Sequence, residues 1–361
     1  MKILFISRAT LFTDPGGDTI QIINTAENLK KLEVDVDIKL ANDKINYSNY
    51  DLIHFFNIIR PSDILVHISK SQNPYVVSTI FVDYSEYEKK QRKGFAGALF
   101  KILSPDFIEY AKVVARNVTT GERVLSPSYL LLGQKKSIRK ILKQSSLLLP
   151  NSKNEYDRLY KRYGVRKDYR VIPNAIDPDL FATSQTLVKD NRMVLCVGRI
   201  EGRKNQLNLI RAINNSGFKL KIIGSYAINQ PAYYRACRDA ASADVEFIEN
   251  LPQSRLIDYY SIAKVHVLPS WFETTGLSSL EAAAMGCNIV ITDKGDTKEY
   301  FGDMAYYCDP LSPKSIKDAI EFAARNPPNE ELKNKILKEY TWPVTAKKTL
   351  EAYHKVLDQQ I

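Results

Sequence analysis

Short runs of apolar, often β-branched residues alternate with segments of helical periodicity along almost the whole chain. Several runs are nearly continuous, such as LFIS at residues 4–7, which is typical of parallel strands covered on both faces of a sheet. Apolar positions recur with the period of a helix in Asp18–Leu32 and Ser152–Tyr163. In the first half, the pattern predicts strands over Lys2–Arg8, Val34–Lys39, Tyr50–Phe56, Tyr75–Asp83, Ser145–Asn151 and Tyr169–Pro173.

The second half of the chain repeats this alternation of strands and helices. Two successive series of strand and helix predict an α/β protein made of two Rossmann-like, doubly wound domains, each with a parallel sheet. The strands predicted here are Met193–Gly198, Phe218–Gly224, Val245–Glu249, Val265–Ser270, Cys287–Thr292 and Ala305–Cys308.

A segment rich in Pro, Asn and Asp, Ile172–Asn191, predicts the linker between the two domains. We therefore expect an N-terminal domain over residues 1–175 and a C-terminal domain over residues 176–342, with the helix at 343–361 packing back on the first. Ligands of open α/β sheets bind beyond the carboxyl ends of the strands. The two domains are accordingly expected to face one another across a cleft formed by those ends.

The composition narrows the class of protein. Of the 361 residues, 44% are hydrophobic and 25% are charged, which excludes disordered, collagen-like and coiled-coil chains. No apolar run approaches the ~20 residues that a membrane-spanning helix needs. The N-terminal MKILFISRAT is interpreted as a buried strand rather than a signal peptide. Four cysteines spaced by 41, 50 and 21 residues fit neither a zinc site nor a redox pair, so a cytoplasmic protein with reduced cysteines is expected.

The net charge of +10 is confined to the first half of the chain. Residues 1–170 contain 28 Lys and Arg against 18 Asp and Glu, whereas the remaining residues contain 23 of each. A one-sided basic surface favours an anionic partner such as phospholipid, nucleic acid or a phosphorylated substrate. A solvated basic face without a partner has the same signature.

Two basic segments of the first half also contain apolar residues at helical spacing. One covers residues 89–101, and the other is Lys135–Lys143, in which Ile138, Ile141 and Leu142 fall on one side of a helix. Basic residues beside an apolar stripe predict peripheral binding to an anionic membrane surface. The alternative is that the stripe packs on the protein's own sheet and the cations are solvated.

Two turns that follow predicted strands have features of anion-binding sites. Gly16 and Gly17 lie between the first strand and a helix, where the backbone can approach a ligand and the helix N-terminus offers N–H groups. The segment is not G-x-G-x-x-G, which disfavours a nicotinamide dinucleotide site. After the strand MVLCVGR, Arg199 and Lys204 bracket a turn in which two cations are suited to hold a diphosphate.

The most informative segment is VHVLPSWFETTGLSSLEAAAMGCNIV at residues 265–290. A predicted strand ends at Ser270, a short loop contains Glu273, and a helix of mostly small residues begins near Gly276. Glu281 lies eight positions after Glu273, about two turns into this helix. Because a glutamate in a buried helix needs polar partners, the pair predicts a functional site.

Together these segments resemble the signature of the family 4 retaining glycosyltransferases, such as those of bacterial polysaccharide and O-antigen synthesis. The spacing Glu273-x7-Glu281 carries the resemblance, with Pro269-Ser270 before it and Gly286 after it. Further matching segments are Val197-Gly198-Arg199 with Lys204, Val171–Asp177, Gly16-Gly17, and Thr341-Trp342 before the final helix.

The resemblance implies the GT-B fold and the transfer of a hexosyl group from a nucleoside-diphosphate sugar to a glycan or lipid-linked acceptor. It implies that Arg199 and Lys204 stabilise the donor diphosphate, and that Glu273 contacts the transferred sugar. Glu281 would accept hydrogen bonds from the ribose. The other donor-binding residues that it implies are Gly16, Gly17, Asn250, Leu251, Thr275, Gly276 and Leu277.

One stretch departs from the family's pattern. Many members carry a histidine at the end of the fourth strand, where this chain has Val77–Tyr84 without one. Candidate acceptor-side residues are therefore Asp83 in this stretch and His54 at the end of the preceding strand. A front-face mechanism, in which the departing phosphate takes the acceptor proton, does not require the histidine. With two cations at the diphosphate, no metal or other cofactor is expected.

Other functions fit parts of the sequence. A GT-B epimerase or hydrolase of nucleotide-sugars would keep the donor pocket, and a catalytically silent GT-B binding subunit would keep only the fold. A nucleic-acid binder is disfavoured because no known module is found. The expected partners are a nucleotide-sugar, a glycan or lipid-diphosphate-linked acceptor, and an anionic membrane surface on the cytoplasmic side.

Overall fold

In the computed structural model, the described residues are 1–82, 105–120, 126–181 and 188–359. The chain divides into two compact units. The first unit consists of Met1–Asn174 and Trp342–Ile361, and the second unit is Ala175–Thr341. The boundaries expected from the sequence, after residues 175 and 342, lie one residue later in each case.

The first unit is built on a five-stranded parallel sheet with the strand order β2-β1-β3-β4-β5. Its central strands are apolar on both faces, as predicted for a doubly wound sheet, and every residue of β3 is buried. The strands are β1 (Lys2–Ser7), β2 (Asp35–Leu40), β3 (Leu52–Phe56), β4 (Tyr75–Ser78) and β5 (Leu147–Leu148).

Alternate residues of β1 enter two separate cores of this unit. Leu4 and Ile6 belong to one core, whereas Ile3 and Phe5 belong to another that includes Tyr353 of the last helix. The C-terminal helix is thus part of the first unit. The helices described in this unit are α1 (Gly17–Lys30), α2 (Pro61–Ile68), α3 (Pro105–Thr120), α4 (Pro127–Gln144, kinked at Gly133), α5 (Lys153–Tyr163) and α14 (Trp342–Asp358), with a 3-10 turn at Tyr47–Asn49.

The second unit contains a six-stranded parallel sheet with the order β11-β10-β9-β6-β7-β8. All six strands predicted for this half are found, with ends that differ by at most three residues. The strands are β6 (Asp190–Val197), β7 (Lys219–Ile223), β8 (Val245–Ile248), β9 (Ala263–Leu268), β10 (Asn288–Thr292) and β11 (Tyr306–Cys308).

Helices and apolar clusters accompany this second sheet as well. Leu195 and Val197 of β6 enter one core, and Val194 and Cys196 enter another. The helices are α6 (Pro178–Phe181), α7 (Gln206–Ile213), α8 (Pro231–Ala240), α9 (Gln253–Ile262), α10 (Leu277–Ala284), α11 (Thr297–Phe301), α12 (Pro313–Arg325) and α13 (Glu330–Glu339), with 3-10 turns at Gly202–Lys204 and Gly302–Met304. The predicted α/β class with two parallel sheets is therefore confirmed.

Three predicted strands of the first half differ from the structure. The strand predicted over Ser145–Asn151 is limited to the two residues of β5. Tyr169–Pro173 is not a strand, because it forms only an isolated parallel bridge from Tyr169 to Leu148 beside the short β5. The strand predicted over Tyr75–Asp83 ends at Ser78. It ends there because Ile80 has a φ of 44°, which cannot continue an extended strand.

The ends of β6 and β7 approach one another so closely that a glycine is required. Gly198 and Gly224 follow these strands with φ values of 151° and 148°. A Cβ on Gly224 would lie 2.3 Å from the carbonyl oxygen of Gly198. Any side chain at Gly224 would therefore push apart the two turns that leave the sheet.

We expect Gly224→Ala to lower the free energy of unfolding of the second unit by about 3 kcal/mol or more, because a positive φ and a backbone clash act together. Gly217→Ala is the matched control, since Gly217 has a φ of 81° with no atom within 4 Å of its added Cβ. The control change should cost only about 1–2 kcal/mol. Denaturant unfolding measures both; equal losses would contradict the close approach.

Candidate functional site

The turn that carries Lys204 is fixed to the loop after β9 by backbone and amide groups. Asn205 ends the turn in the left-handed conformation (φ 61°), and its buried side-chain amide donates to the carbonyls of Pro269 (3.2 Å) and Pro310 (2.7 Å). The main-chain N–H of Trp271 donates to the carbonyl of Arg203 at 2.9 Å. The turn is thereby held at the carboxyl end of β9, independently of the Lys204 side chain.

Lys204 and Glu273, two of the predicted catalytic residues, meet at this position. The Lys204 Nζ lies 2.7 Å from Glu273 Oε2, and the Ser270 hydroxyl donates to the same oxygen at 3.1 Å. The two side chains are 25% and 11% exposed, so the ion pair is only partly screened by solvent. A cation and a carboxylate therefore stand side by side at the edge where open α/β sheets bind ligands.

The loop containing Glu273 is paired along its main chain with the loop after β10. The Glu273 N–H donates to the Lys294 carbonyl at 3.0 Å, and the Asp296 N–H donates to the Glu273 carbonyl at 2.9 Å. Gly295 lies between them with a φ of 107°, and a Cβ there would be 2.1 Å from the Glu273 carbonyl oxygen. Gly295 was not predicted from the sequence. The signal available in the sequence was a glycine three residues after the predicted strand Cys287–Thr292.

The helix α10 begins beside Glu273. Gly276 precedes it with a φ of 73°, and a Cβ on this glycine would lie 3.4 Å from the Glu273 Cγ. Thr275 is buried, while Leu277 is the first residue of the helix. The Ser278 hydroxyl donates to the Val197 carbonyl at 2.9 Å, which ties the helix start to the end of β6. Thr275, Gly276 and Leu277 thus lie next to Glu273.

Glu281 is buried inside α10 and accepts hydrogen bonds from two neutral side chains of α9. Gln253 Nε2 donates to Oε1 at 2.6 Å, and the Tyr260 hydroxyl donates to Oε2 at 2.8 Å. Burial raises the pKa of Glu281 to about 7, although both hydrogen bonds act in the opposite direction. Gln253 and Tyr260 were not predicted, because they are 28 and 21 residues away in the sequence.

Asn250 and Leu251 lie between β8 and α9. Asn250 is exposed and Leu251 is half-buried. Gln253, two residues after Leu251, starts α9 and contacts Glu281. Gln253 therefore connects this predicted donor-binding segment to Glu281, the predicted ribose-binding carboxylate.

Arg199 follows Gly198 at the end of β6 and is half-buried. Its carbonyl accepts a hydrogen bond from Gln206 Nε2 at 2.9 Å, which attaches the segment to the start of α7. In the turn that follows, Arg203 Nη2 donates to both carboxylate oxygens of Glu201 at 2.9 and 3.0 Å. Arg203 therefore stabilises the turn that carries Lys204.

Gly16 and Gly17 belong to the first unit, where Gly16 ends the loop after β1 and Gly17 is the first residue of α1. The Arg8 guanidinium holds this loop with a bidentate ion pair to Asp18, with Nε at 2.7 Å and Nη2 at 3.0 Å from the two carboxylate oxygens. The Gly16 N–H donates to the Thr19 hydroxyl at 3.0 Å. The glycines are thus positioned by Arg8 and Asp18, neither of which was predicted.

His54 is not a candidate acceptor-side residue in the structure, because it is buried inside the first unit. It is buried in β3, its Nδ1 lies 2.6 Å from the Tyr353 hydroxyl, and its Nε2 lies 2.8 Å from Ser78 Oγ. Burial lowers its pKa to about 3, so it is a neutral structural residue. Asp83, the other acceptor-side candidate, lies outside the described residues.

In the basic helix α4, the cations are exposed to solvent, whereas the apolar stripe is buried. Ile138, Ile141 and Leu142 are fully buried in the core of the first unit, so the predicted membrane-facing stripe is wrong and the packing alternative holds. Lys135, Lys136, Arg139, Lys140 and Lys143 are exposed. The basic segment at 89–101 lies outside the described residues.

Exposed apolar residues occur in the N-terminal part of the same helix and in the helix packed on it. Leu131 is 88% exposed and Leu130 is 47% exposed, at the N-terminal end of α4, and Phe107 of the packed helix α3 is 52% exposed.

No helix in the described parts of the chain has the length and apolar character of a membrane span. The four cysteines are unpaired and buried.

Comparison with known proteins finds a family model that matches most of the second unit. Residues 180–341 match the family model described as glycosyl transferases group 1. A D-inositol 3-phosphate glycosyltransferase of Acidothermus cellulolyticus is 27% identical over 220 residues, which cover 49% of this chain and 49% of the relative. The match thus spans about half the length of that relative.

A second relative is matched over more of its length. It is the N-acetylgalactosamine-N,N'-diacetylbacillosaminyl-diphospho-undecaprenol 4-alpha-N-acetylgalactosaminyltransferase of Campylobacter jejuni, 25% identical over 308 residues. The match covers 80% of this chain and 81% of the relative.

Solved structures match the fold of the whole chain. Sucrose-phosphate synthase from Thermosynechococcus elongatus superposes with a TM-score of 0.77 at 17% identity, covering 99% of this chain and 100% of that one. Anabaena HepE in complex with UDP and glucose gives 0.68 at 15% identity, covering 98% and 100%. The prediction of a GT-B fold is confirmed. The second unit is similar to the glycosyl transferases group 1 family over residues 180–341, and the resemblance inferred from the sequence is confirmed.

Proposed function

We propose that this protein is a retaining glycosyltransferase that moves a sugar from a nucleoside-diphosphate sugar to a lipid-diphosphate-linked glycan in cell-surface polysaccharide synthesis. The observation that carries the proposal is the contact between Lys204 and Glu273, at 2.7 Å, beside the first turn of α10. A cation for the leaving diphosphate and a carboxylate for the sugar hydroxyls are thereby adjacent. This arrangement lies in the unit that matches the glycosyltransferase family.

The donor diphosphate would bind to Lys204, Arg199 and the N-terminus of α10. The N–H groups of the first turn of a helix favour an anion, and the two cations stabilise the charge that develops on the departing phosphate. Lys204 would then contact both Glu273 and the diphosphate, while Ser270 keeps the carboxylate in place. No metal is required for this stabilisation.

The two glutamates would recognise hydroxyl groups at either end of the diphosphate. Glu273 would accept from hydroxyls of the transferred sugar, and Glu281 from the ribose, with the base beside Asn250 and Leu251. Glu281 is suited to this because Gln253 and Tyr260 fix its orientation through one oxygen each, and a carboxylate oxygen can accept more than one hydrogen bond.

In the transfer step, the bond between the anomeric carbon and the diphosphate oxygen breaks while the acceptor oxygen bonds to that carbon on the same face. The acceptor proton passes to the departing phosphate oxygen, and the products are the glycosylated acceptor and the nucleoside diphosphate. The residues supply positioning and charge stabilisation rather than a base.

The acceptor is proposed to carry a phosphate group. The names of the two relatives specify an inositol 3-phosphate and a diphospho-undecaprenol, and both are anionic. The whole net charge of +10 arises in the first 170 residues, which suits an anionic acceptor and an anionic membrane surface. Because Leu130 and Leu131 are exposed in the same helix as the cations of α4, we favour the lipid-linked acceptor.

The decisive experiment is incubation of the purified protein with a panel of UDP- and GDP-sugars, with and without acceptor, in buffer containing excess EDTA. The acceptors are undecaprenyl-diphosphate-linked N-acetylhexosamine and D-inositol 3-phosphate. We expect nucleoside diphosphate release that requires the lipid-linked acceptor and persists in EDTA. Release without an acceptor would indicate a hydrolase. Absence of release under all conditions, including added Mg²⁺ or Mn²⁺, would contradict the proposal.

We expect Lys204→Ala to lower kcat by about 10²–10³-fold, because the charge of the leaving group is largest in the transition state. The matched control is Lys221→Ala. Lys221 also forms an ion pair, with Glu246, and its side chain is 29% exposed against 25% for Lys204. Steady-state kinetics measures the effect of each substitution on turnover, and thermal unfolding measures its effect on stability. Equal kcat values for both variants would remove Lys204 from the transfer step.

Binding of the nucleotide-sugar should strengthen as the pH rises from 6 to 8, because the ionised form of Glu281 accepts hydroxyl hydrogen bonds best. With a pKa of about 7, the affinity should increase about tenfold over this range. The sugar diphosphate keeps its charge between these pH values, so the donor itself does not contribute. Calorimetry on wild type and Glu281→Gln tests this, and the variant should show a flat profile.

The same group predicts the pH dependence of stability. A folded-state pKa raised to about 7 means that Glu281 favours folding when protonated, and that this contribution is lost as the pH rises through 7. Glu281→Gln should therefore lose less stability than the wild type between pH 5 and 8. A steeper loss in the variant would contradict the raised pKa.

Replacement of Lys135, Lys136, Arg139 and Lys140 by Gln should reduce binding to vesicles of anionic lipid by at least about tenfold, since each cation near the surface contributes ~1 kcal/mol. Leu131→Asn should also weaken binding. Donor affinity should remain unchanged in both variants. The control with equal charge removal in the second unit replaces Lys314, Lys317, Lys333 and Lys338 by Gln. If wild type fails to co-sediment with such vesicles at low salt, the membrane proposal is wrong.

A further inference from the structure

A single residue after β4 adopts a backbone conformation that its side chain disfavours. Ile80 has a φ of 44°, in the left-handed region, where β-branched residues are rare. Three of the other non-glycine residues with positive φ in the described parts of the chain are asparagines, which tolerate this region, and the fourth, Glu33, lies exposed in the turn after α1. Such a conformation persists only where the surroundings enforce it.

The carboxylate of Glu155 enforces the conformation by binding both neighbours of Ile80. The Thr79 hydroxyl and the Phe81 N–H, at 2.8 Å, donate to the same oxygen, Oε1. Glu155 is fully buried at the start of α5, where its own N–H donates to Ser152 Oγ at 2.9 Å. A buried carboxylate is retained only when donors satisfy it, so the turn and the carboxylate depend on one another.

The other carboxylate oxygen connects the turn to α1. The Asn151 N–H donates to Glu155 Oε2 at 3.0 Å, and the Asn151 side chain pairs with Gln21 at 3.0 and 3.3 Å. Gln21 lies one turn into α1, the helix that begins after Gly16. The exits of β4 and β5 and the first turns of α1 are therefore held by one buried polar network.

The turn lies at the edge of the sheet where ligands bind. It follows the carboxyl end of β4, and the N–H groups of Asn57 and Ile58, which follow β3, donate to the carbonyls of Ser78 and Thr79 at 2.9 Å each. Within the described residues, the N–H and C=O of Ile80 have no hydrogen-bond partner. A main-chain donor and acceptor are thus held rigidly at the position where open α/β sheets bind ligands.

We propose that Glu155 is a positioning residue for the acceptor: it holds the Thr79–Phe81 turn so that the main chain of Ile80 binds a hydroxyl of the acceptor glycan. The inference rests on the proposed transferase function and names part of its acceptor site. It assigns the strained turn, which lies beyond the end of the β4 strand pairing, to function.

The test compares Glu155→Gln with two double variants, Glu155→Gln/Ile80→Asn and Glu155→Gln/Ile80→Val. Undecaprenyl-diphosphate-linked N-acetylhexosamine serves as the acceptor, and calorimetry with nucleoside diphosphate monitors the second unit. We expect Glu155→Gln to lower kcat/KM for the acceptor at least about tenfold, because the turn relaxes. Adding Ile80→Asn should restore most of the loss, because asparagine adopts a positive φ readily, whereas adding Ile80→Val should not.

Nucleoside diphosphate affinity should stay within about twofold in all variants. Unchanged acceptor kinetics in Glu155→Gln would overturn the inference while leaving the transferase function intact, and so would equal behaviour of the Asn and Val double variants. Absence of transfer by the wild-type protein would overturn both. If Glu155→Gln does not fold, Thr79→Val replaces it, with Thr79→Ser as the control that keeps the hydroxyl. The same tenfold loss is then expected only for valine.

Discussion

The carboxyl edge of the second sheet imposes the constraint on which the Lys204 and Glu273 site depends: each loop that leaves a strand there must turn and remain close to the neighbouring loops. Gly198, Gly276 and Gly295 meet this constraint with positive φ and no side chain, and Asn205 meets it with an amide that binds two neighbouring carbonyls. These turns position the side chains of Lys204 and Glu273, because each turn fixes the backbone from which the side chain extends.

The ion pair of Lys204 and Glu273 is not needed to hold these loops together. The lysine turn is anchored by Asn205, and the glutamate loop is anchored by its main-chain pairing around Gly295. A partly buried pair adds little net stability when desolvation is counted, so its presence is better explained by the proposed chemistry than by folding. In the proposed transfer reaction, Lys204 would thereby be positioned before a donor arrives, and the charge stabilisation would need little reorganisation.

The sequence predicted those parts of the fold and site that depend on local patterns. The strands of the second sheet, the turn of Lys204 and the loop of Glu273 follow from periodicity and from residues close together in the chain. The partners of buried polar groups did not, because they come from distant segments: His54 meets Tyr353 299 residues later, and Glu155 meets Phe81 74 residues earlier. The sequence around His54 in a predicted strand, or around the apolar stripe at Ile138, is the same whether the side chains face a ligand or a core.

The three glutamates show how partner chemistry separates roles for one residue type. Glu273 faces a lysine, so its charge is compensated and its position is coupled to that cation. Glu281 faces an amide and a phenol, so burial raises its pKa to about 7 and its response to pH is concentrated near neutrality. Glu155 is fully buried and accepts hydrogen bonds from backbone and hydroxyl groups of its own unit, so a ligand outside the core does not touch its carboxylate. Its influence on a reaction must therefore pass through the geometry of the turn that it holds.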